Sequence, residues 1–354
     1  MSVKEFPCTS CGAKLEYVSG QELICPYCGA KNVFEQVEED IKELDFHDFL
    51  RKSAEHEESI EVTTVKCQAC GAESTPEENV SISHCSFCGS QLMAQASVSK
   101  AIKPKSMLPF EIQREQAREN FRKWLKGLWF APNQVKKYAR SLDQIKGMYI
   151  PFWTYDADTY TNYRGQRGTD YTEHYTDSDG KRQSRTETRW SYVSGRVRKL
   201  FDDVLILASR SLPKKQTDKL EPWDLNNLVP YQEQYLAGFQ VETYQIDLEG
   251  GFDEARDVMA EGIKREIRRD IGGDHQRIDS MDTSYADITF KHILLPVWIS
   301  AYKFKDKTYR FVVNARTGEV QGERPWSAWK IGAAVTAAAV VIGGVYYYFW
   351  VYGG

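Results

Sequence analysis

Eight cysteines stand out in this 354-residue chain, because thiols in regular pairs can bind metal ions or form disulfides. They form two sets of four, each built from two C-x2-C pairs, and all lie in the first quarter of the chain: Cys8, Cys11, Cys25 and Cys28, then Cys67, Cys70, Cys85 and Cys88. Two such pairs, joined by a spacer of hairpin length, supply four thiolates that can close a tetrahedron around Zn²⁺. The sequence therefore predicts two zinc ribbons, each holding one structural Zn²⁺.

The second set of cysteines repeats the first with nearly equal spacing, which indicates a duplicated module. The spacer between the pairs is 13 residues in the first set and 14 in the second, and Gly follows Cys11, Cys28, Cys70 and Cys88. A glycine at this point lets the backbone turn tightly enough to direct N–H groups at the sulfurs. Because four Cys ligands leave no open position for water, both sites are expected to be structural and not catalytic.

Other uses of paired cysteines are weighed against zinc. Iron sites of the rubredoxin type use similar knuckles, and Cys25-Pro26-Tyr27-Cys28-Gly29 fits them, so iron stays an alternative. Disulfides need an oxidising compartment, and Met1–Phe6 has neither the basic nor the apolar part of a signal peptide. Redox C-x2-C chemistry uses one reactive pair on a thioredoxin-like fold, whereas this chain has four pairs. Zinc in a reducing compartment is the expectation.

An uncharged apolar segment of 21 residues, Ile331 to Val351, lies near the other end of the chain. At 1.5 Å per residue a helix over this segment is about 31 Å long, which matches the hydrocarbon core of a bilayer. Trp326 and Trp329 precede it and aromatic residues crowd its far end, as in membrane-interface belts. Residues 329–351 are therefore predicted to form a transmembrane helix, with a buried core helix as the alternative.

The charges that flank this helix predict its orientation. Arg324 and Lys330 precede it, and no charged side chain follows it. The positive-inside rule then keeps the first 330 residues in the cytoplasm, as in a tail-anchored, single-pass protein of the cell membrane. Small residues four apart, such as Ala333 and Ala337, permit close helix approach, so an oligomer formed through the membrane helix is a further expectation.

Periodicity and composition predict an α+β protein in which an antiparallel sheet forms the body. A linker that begins at Glu35 carries 11 acidic residues against three basic ones, up to Glu61. In the body, the clearest helix runs from Asp253 to Ile271 and ends at Gly272-Gly273. The expected order is zinc ribbon 1 (1–34), an acidic helical linker (35–62), zinc ribbon 2 (63–95), a basic helical segment (96–147), the α+β body (148–322) and the transmembrane helix (329–351).

Charge is unevenly distributed along the chain, and this bears on what the chain binds. The formal net charge of −4 is the sum of −9 for residues 1–100 (8 Lys+Arg, 17 Asp+Glu) and +5 for the remainder (38 and 33). Four thiolates around one Zn²⁺ make each ribbon still more negative, so the ribbons would repel nucleic-acid phosphate. The stretch Lys181 to Lys199 instead holds seven bases and one acid around Trp190 and Tyr192, which keeps nucleic-acid binding as an alternative function.

Catalytic motifs are absent from the sequence. It contains no phosphate-binding G-x-x-x-x-G-K-[ST] loop, no G-x-S-x-G elbow, no kinase loop set and no H-E-x-x-H, and its six histidines show no ligand spacing. Asp156 and Asp158 would lie on one face of a strand, where paired carboxylates can do acid–base or metal chemistry. One such pair among 50 acidic residues carries little weight. The chain is therefore expected not to be an enzyme.

The whole arrangement resembles a family of bacterial membrane-anchored proteins with two zinc ribbons. The motifs that carry the resemblance are Leu108-Pro109-Phe110, Phe130-Ala131-Pro132, Tyr149-Ile150-Pro151-Phe152-Trp153, Tyr235-Leu236-Ala237-Gly238-Phe239, Leu294-Leu295-Pro296-Val297-Trp298 and Asn314-Ala315-Arg316-Thr317-Gly318-Glu319-Val320. Members are often labelled primosomal protein N′ or superfamily II helicase, although this chain lacks every helicase nucleotide motif. Similar members are encoded beside phage-shock protein A and SPFH-domain proteins. The resemblance implies an adaptor that recruits such partners to the membrane in envelope stress, and it carries over no catalytic residue.

Overall fold

The computed structural model describes residues 6–52, 59–75, 82–93, 96–138, 145–176, 178–305 and 307–352. Within these ranges the fold is α+β, which confirms the predicted class. The helices are α1 (Phe46–Lys52), α2 (Arg114–Gly127), α3 (Asn133–Tyr138), α4 (Lys214–Thr217), α5 (Leu248–Ile271) and α6 (Ala328–Tyr352). The strands are β1 (Glu16–Ser19), β2 (Glu22–Ile24), β3 (Lys31–Val33), β4 (Leu44–Asp45), β5 (Ser59–Lys66), β6 (Glu73–Ser74), β7 (Ile82–His84), β8 (Gln91–Met93), β9 (Ala96–Ile102), β10 (Ser106–Met107), β11 (Lys146–Thr176), β12 (Arg182–Leu207), β13 (Val229–Pro230), β14 (Gln240–Val241), β15 (His275–Phe304), β16 (Lys307–Asn314) and β17 (Val320–Gly322).

Three long strands form the centre of the fold. β11, β15 and β12 contain 31, 30 and 26 residues, and β11 lies between the other two in antiparallel pairing. Six short strands bring the sheet to nine strands within the described residues: β4, β10, β13, β14, β16 and β17. The sequence indicates shorter strands because most residues beyond Tyr163 are polar. The part of these strands beyond Tyr163 has solvent on much of its surface, so its sequence shows no alternation of apolar and polar residues.

Both faces of the sheet are covered near the beginning of β11. Alternate strand residues point to opposite faces, and each face has its own core. On one face Tyr149 and Trp298 pack with α2 and with Tyr17 of ribbon 1. On the other face Ile150 packs with Phe87 of ribbon 2. The two ribbons therefore lie on opposite faces of one sheet, and each shares a hydrophobic core with it.

Helix α5 covers the next part of the first face. It begins at Leu248, earlier than the periodicity predicts, because the Asp247 side chain caps it by accepting a hydrogen bond from the Gly250 N–H (2.8 Å). It ends as predicted, at Gly272, whose φ is +64°. Its buried stripe packs on β11, β12 and β15 and includes Ala255, Met259, Ile263, Ile267 and Ile271.

The acidic linker docks on the same sheet and is mostly not helical in its described residues. β4 pairs with β15, and α1 follows it as a helix of seven residues. Phe46 and Phe49 of α1 contact the ring of Phe290 on the sheet. β5 begins at Ser59 and pairs with β9, so the sheet of ribbon 2 extends beyond residues 63–95 on both sides. The segment 96–147 likewise opens with strands β9 and β10 before α2 and α3.

Candidate metal centres

Each zinc ribbon contains two knuckles with the same backbone hydrogen bonds. In the first knuckle the Cys8 N–H donates to the carbonyl five residues later (2.7 Å), and the Gly12 N–H donates back to the Cys8 carbonyl (2.9 Å). The same two bonds recur at Cys25, Cys67 and Cys85. The knuckle glycines have φ values from +70° to +78°, a left-handed conformation that glycine adopts without a steric penalty. Local sequence alone thus shapes the knuckles.

The knuckles bring the four sulfurs of each set together, all within 4.8 Å of one another. The shortest Sγ–Sγ distances are 3.5–3.7 Å, between Cys8 and Cys28, Cys11 and Cys25, Cys67 and Cys88, and Cys70 and Cys85. A tetrahedral ion with metal–sulfur bonds of about 2.3 Å requires sulfurs about 3.8 Å apart. The described residues therefore contain two four-cysteine groups whose geometry fits two metal ions of the size of Zn²⁺.

The eight sulfurs are separate thiols, and their surroundings shift the cysteine pKa values in both directions. All eight cysteines are free, and sulfurs 3.5 Å or more apart are far beyond an S–S bond of about 2.05 Å. The Ser10 N–H donates to Cys8 Sγ (3.4 Å) and is the main cause that lowers the pKa of Cys8 to about 6. The Ser90 hydroxyl lies 2.9 Å from Cys88 Sγ. The Ser10 donor stabilises the Cys8 thiolate, which is the form that binds metal, whereas burial raises the pKa of Cys88.

The two ribbons differ at one pair of equivalent positions. Tyr27 and Phe87 each precede the last cysteine of their set. Tyr27 is 83% exposed, whereas Phe87 is 1% exposed and belongs to the core that ribbon 2 shares with the sheet. Ribbon 2 therefore turns this knuckle into the body, while ribbon 1 presents its knuckle to solvent.

The segment around the motif Tyr235-Leu236-Ala237-Gly238-Phe239 holds both ribbons. On ribbon 1 the Tyr17 N–H donates to the Ala237 carbonyl (3.0 Å). On ribbon 2 the Thr75 N–H donates to the Val241 carbonyl (2.9 Å). This segment positions the two four-cysteine groups on the sheet, which the sequence could not indicate because the contacts join segments more than 160 residues apart.

The structure adds a group of acidic side chains that the sequence does not indicate. Carboxylate oxygens of Glu43, Asp156 and Asp202 lie within 4.8 Å of one another. The Lys291 ammonium, on a side chain that is 9% exposed, lies 2.8 Å from Glu43 and 2.7 Å from Asp203. Burial, together with the neighbouring Glu43, raises the pKa of Asp156. A buried ammonium thus already compensates Glu43 and the neighbouring Asp203, as in an ion-pair cluster.

Asp156 and Asp158 do not form the carboxylate pair that their spacing suggests. A β-bulge lies between them. Asp156 joins the cluster around Lys291, whereas Asp158 accepts hydrogen bonds from Arg198 Nε (3.0 Å) and the Tyr160 hydroxyl (2.7 Å). The Arg198 guanidinium is the main cause that lowers the pKa of Asp158. Each carboxylate has its own partners, so the geometry offers no shared acid–base site.

Two more buried polar groups line one small cavity between ribbon 2 and the sheet. Glu242 is 1% exposed, accepts a hydrogen bond from the Ser209 hydroxyl (2.7 Å), and has a pKa that burial raises to about 8. His292 donates from Nδ1 to the Ile102 carbonyl (2.8 Å), and burial lowers its pKa to about 4. The apolar run after His292 signals its burial in the sequence, but no such signal marks Glu242.

Helix α6 has the length and composition of a membrane span. Its 25 residues include an 18-residue window of mean hydropathy 1.7, and none of its residues is buried in the protein. A core helix would bury such a surface, so the core-helix alternative is wrong. A helix this apolar and this exposed is a candidate transmembrane segment.

Comparison with known proteins gives a relative but no activity. No protein family model matches the chain, and no solved structure matches it. The chain is similar to the uncharacterized protein YdjG of Bacillus subtilis (strain 168). Identity is 28% over 238 residues, which make up 67% of this chain and 68% of that protein.

Proposed function

We propose that this protein is a membrane-anchored cytoplasmic adaptor whose ribbon 1 recruits a protein partner. The observation that carries the proposal is the contrast between Tyr27, which is exposed, and Phe87, which is buried at the equivalent position. An aromatic side chain on a rigid, metal-held turn offers contact area at a small cost in conformational entropy. Such residues dominate the binding energy of many protein interfaces.

The two four-cysteine groups and the charge of the ribbons agree with recruitment rather than catalysis. Four thiolates leave a Zn²⁺ without an open coordination position, so the ion can fix the knuckles but cannot activate water. The net charge of −9 over residues 1–100 favours a partner with a basic surface. In this proposal ribbon 2 attaches the module to the body, and ribbon 1 makes the contact.

Anchoring is assigned to α6 in a tail-anchored, single-pass topology. Arg324 and Lys330 lie on its N-terminal side, and the positive-inside rule then favours a cytoplasmic location for the ribbons and the sheet. Reduced cysteines agree with that compartment. Small residues four apart in the helix, such as Ala333 and Ala337, favour an oligomer in the membrane as an additional feature.

The family resemblance supplies the class of partner and the process. On this basis, phage-shock protein A-like and SPFH-domain proteins are the first partners to test, and envelope stress is the first condition. These two assignments rest on the resemblance alone, because the similar Bacillus subtilis protein is uncharacterized.

A crosslinking pull-down from native membranes tests the adaptor. The full-length protein is compared with Tyr27→Ala, with Cys11→Ser, and with Tyr192→Ala as a matched control, since Tyr192 is 87% exposed on the sheet. We expect Tyr27→Ala and Cys11→Ser to lose the same crosslinked protein severalfold, and Tyr192→Ala to retain it. If Tyr27→Ala recovered that protein in full, the proposed contact through Tyr27 of ribbon 1 would be wrong.

Nucleic-acid binding is the second candidate function, and one surface favours it. Trp190 and Tyr192 are two residues apart on β12 and therefore share a face, and the Arg277 guanidinium lies 3.9 Å from the Trp190 ring centroid. Tyr192 is 87% exposed and Trp190 is half-buried beneath Arg277, and aromatic rings beside arginines resemble the platforms on which single-stranded bases stack. This face is therefore the surface to test for nucleic-acid binding.

Pairing of the basic side chains weakens this second candidate. Within the stretch Lys181 to Lys199, carboxylate partners engage Arg185, Arg198 and Lys199. Fewer positive charges then remain for phosphate. Salt-sensitive binding of single-stranded DNA or RNA by the full-length protein in detergent, lost in a Trp190→Ala, Tyr192→Ala double variant, would establish it. Equal binding by the double variant would argue against it.

A further inference from the structure

Lys330, in the first turn of α6, ties this helix to the turn between α2 and α3. Its Nζ donates hydrogen bonds to the Trp129 carbonyl (3.2 Å), the Ala131 carbonyl (2.8 Å) and Asn133 Oδ1 (2.8 Å). Three bonds from one ammonium fix residues 129–133 beside the beginning of α6. Wherever α6 enters a membrane, this turn must therefore lie at the point of entry.

Three tryptophans surround this junction with their side chains exposed. Trp129 is 77% exposed, Trp326 is 57% exposed and Trp329 is 84% exposed. The Arg324 guanidinium lies 4.3 Å from the ring centroid of Trp326. A cluster of exposed large aromatic side chains is unusual on a surface that faces only water. Membrane–water interfaces are enriched in Trp because its ring is apolar and its N–H is polar.

Exposed basic side chains of α2 shortly precede Trp129 in the chain. Arg122 and Lys126 are four residues apart on one exposed stripe of the helix, and Trp129 follows the end of the helix at Gly127 by two residues. The opposite stripe is buried against the sheet and fixes the rotation of α2, through Ala117, Phe121 and Leu125. Lys126 is thus three residues from Trp129, whose carbonyl the Lys330 ammonium holds beside α6, and Arg122 lies one turn of helix before Lys126.

We infer that Trp129, Trp326 and Trp329, together with Arg122 and Lys126, form a collar that binds the surface of an anionic membrane around α6. The inference rests on the proposed insertion of α6. Because the uncharged segment begins at Ile331, the turn held by Lys330 lies at the depth of the lipid headgroups. Attraction of basic side chains to anionic lipid fades within a Debye length of about 8 Å, so bases close to the entry point contribute most.

Photocrosslinking of the full-length protein in lipid nanodiscs tests the collar. A benzoylphenylalanine probe replaces Trp129, or Val340 within α6 (69% exposed), or Tyr192 on the sheet. The discs contain phosphatidylcholine alone or mixed with phosphatidylglycerol. We expect lipid adducts from position 340 in both discs, severalfold more adducts from position 129 in the anionic disc than in the neutral one, and none from position 192.

The positions separate failure of the collar from failure of the anchor. Lipid adducts at 340 without adducts at 129 would overturn the collar and leave the membrane span intact. No adducts at 340 would overturn the span on which the collar rests.

The contribution of the basic side chains is tested with the probe at position 129. The double variant Arg122→Gln, Lys126→Gln is expected to lower the yield in the anionic disc to that of the neutral disc. The matched control Lys215→Gln, Lys219→Gln removes two exposed lysines elsewhere and should keep the preference. If the Arg122→Gln, Lys126→Gln variant kept the preference for the anionic disc, these two side chains would not contact the lipid headgroups.

Discussion

At the scale of single residues, the eight cysteines are held by geometry that each knuckle supplies for itself. The same two backbone bonds close all four knuckles, and a glycine with positive φ follows the second cysteine of each. The two four-cysteine groups lie on opposite faces of the sheet and share no ligand. Each is therefore expected to bind and lose its metal ion independently.

Metal content checks this independence. We expect two zinc ions per chain for the wild type and one for Cys11→Ser or Cys85→Ser, because three thiolates and a hydroxyl bind Zn²⁺ much more weakly. Elemental analysis of protein purified under reducing, zinc-replete conditions measures the ratio and also counts iron. Ser86→Ala is the control, since Ser86 is next to Cys85 but is not one of the four ligands, and this variant should keep two ions. A ratio near zero for the wild type would refute the ribbons.

Glu242 makes the stability of the fold depend on pH. Burial raises its pKa to about 8 from an ordinary value of 4.5, so the folded protein keeps a proton that the unfolded chain loses. Its favourable contribution is complete below about pH 4.5 and is lost as the pH rises to about 8. Between pH 4.5 and pH 8 we expect the unfolding midpoint of Glu242→Gln to fall less than that of the wild type. Glu249→Gln, at an exposed position, should decline like the wild type, and the same slope for Glu242→Gln would contradict the assignment.

At the scale of elements, the N-terminal cap of α5 offers a clean test. Asp247→Ala removes the acceptor of the Gly250 N–H and should lower the free energy of unfolding by about 1 kcal/mol. Asp253→Ala is the matched control in the same helix, since the Asp253 side chain is 74% exposed and its ion pair with Arg256 is long (3.4 Å); it should cost less than about 0.5 kcal/mol. Denaturant unfolding of the detergent-solubilised protein measures both. Equal losses would mean that the cap contributes nothing.

The ends of α5 show what sequence patterns can and cannot predict about elements. Its C-terminus was predictable, because Gly272-Gly273 interrupts the apolar stripe at the point where the backbone turns. Its N-terminus was not, because Gly250 and Gly251 weaken the helical pattern in the first turn. Gly251 is required there, since a Cβ would lie 2.4 Å from the Tyr155 hydroxyl. Close packing against the sheet, rather than helix propensity, determines that residue.

Sequence patterns likewise predict one part of the candidate metal centres and miss another. Contacts within a knuckle are local, so the sequence predicted which sulfurs meet. The different burial of Tyr27 and Phe87 depends on how each ribbon docks on the sheet, and two nearly identical motifs cannot reveal that difference. Glu242 and Lys291 were likewise missed, because their partners come from remote parts of the chain.

At the scale of the whole molecule, Lys291 joins the linker to the centre of the sheet. Lys291→Met leaves Glu43 and Asp203 without their ammonium partner, and because both carboxylates are about one third exposed the loss should cost about 1–3 kcal/mol. We expect faster amide hydrogen exchange over residues 44–52, where β4 and α1 dock. Lys307→Met, at an exposed site on β16, should leave that exchange unchanged. Unaltered exchange in Lys291→Met would show that the apolar contacts of Phe46 and Phe49 suffice.

The length of β11 has a mechanical consequence. Its backbone is paired with β12 from Phe152 to Thr176 and with β15 from Lys146 to Gly168, over about 100 Å of strand. A load applied along these strands acts on the hydrogen bonds in shear, so many bonds share the force and none opens first. A load across the strands would break them one at a time. The long sheet is thus stiff along its strands, and a pull in that direction would extend it little.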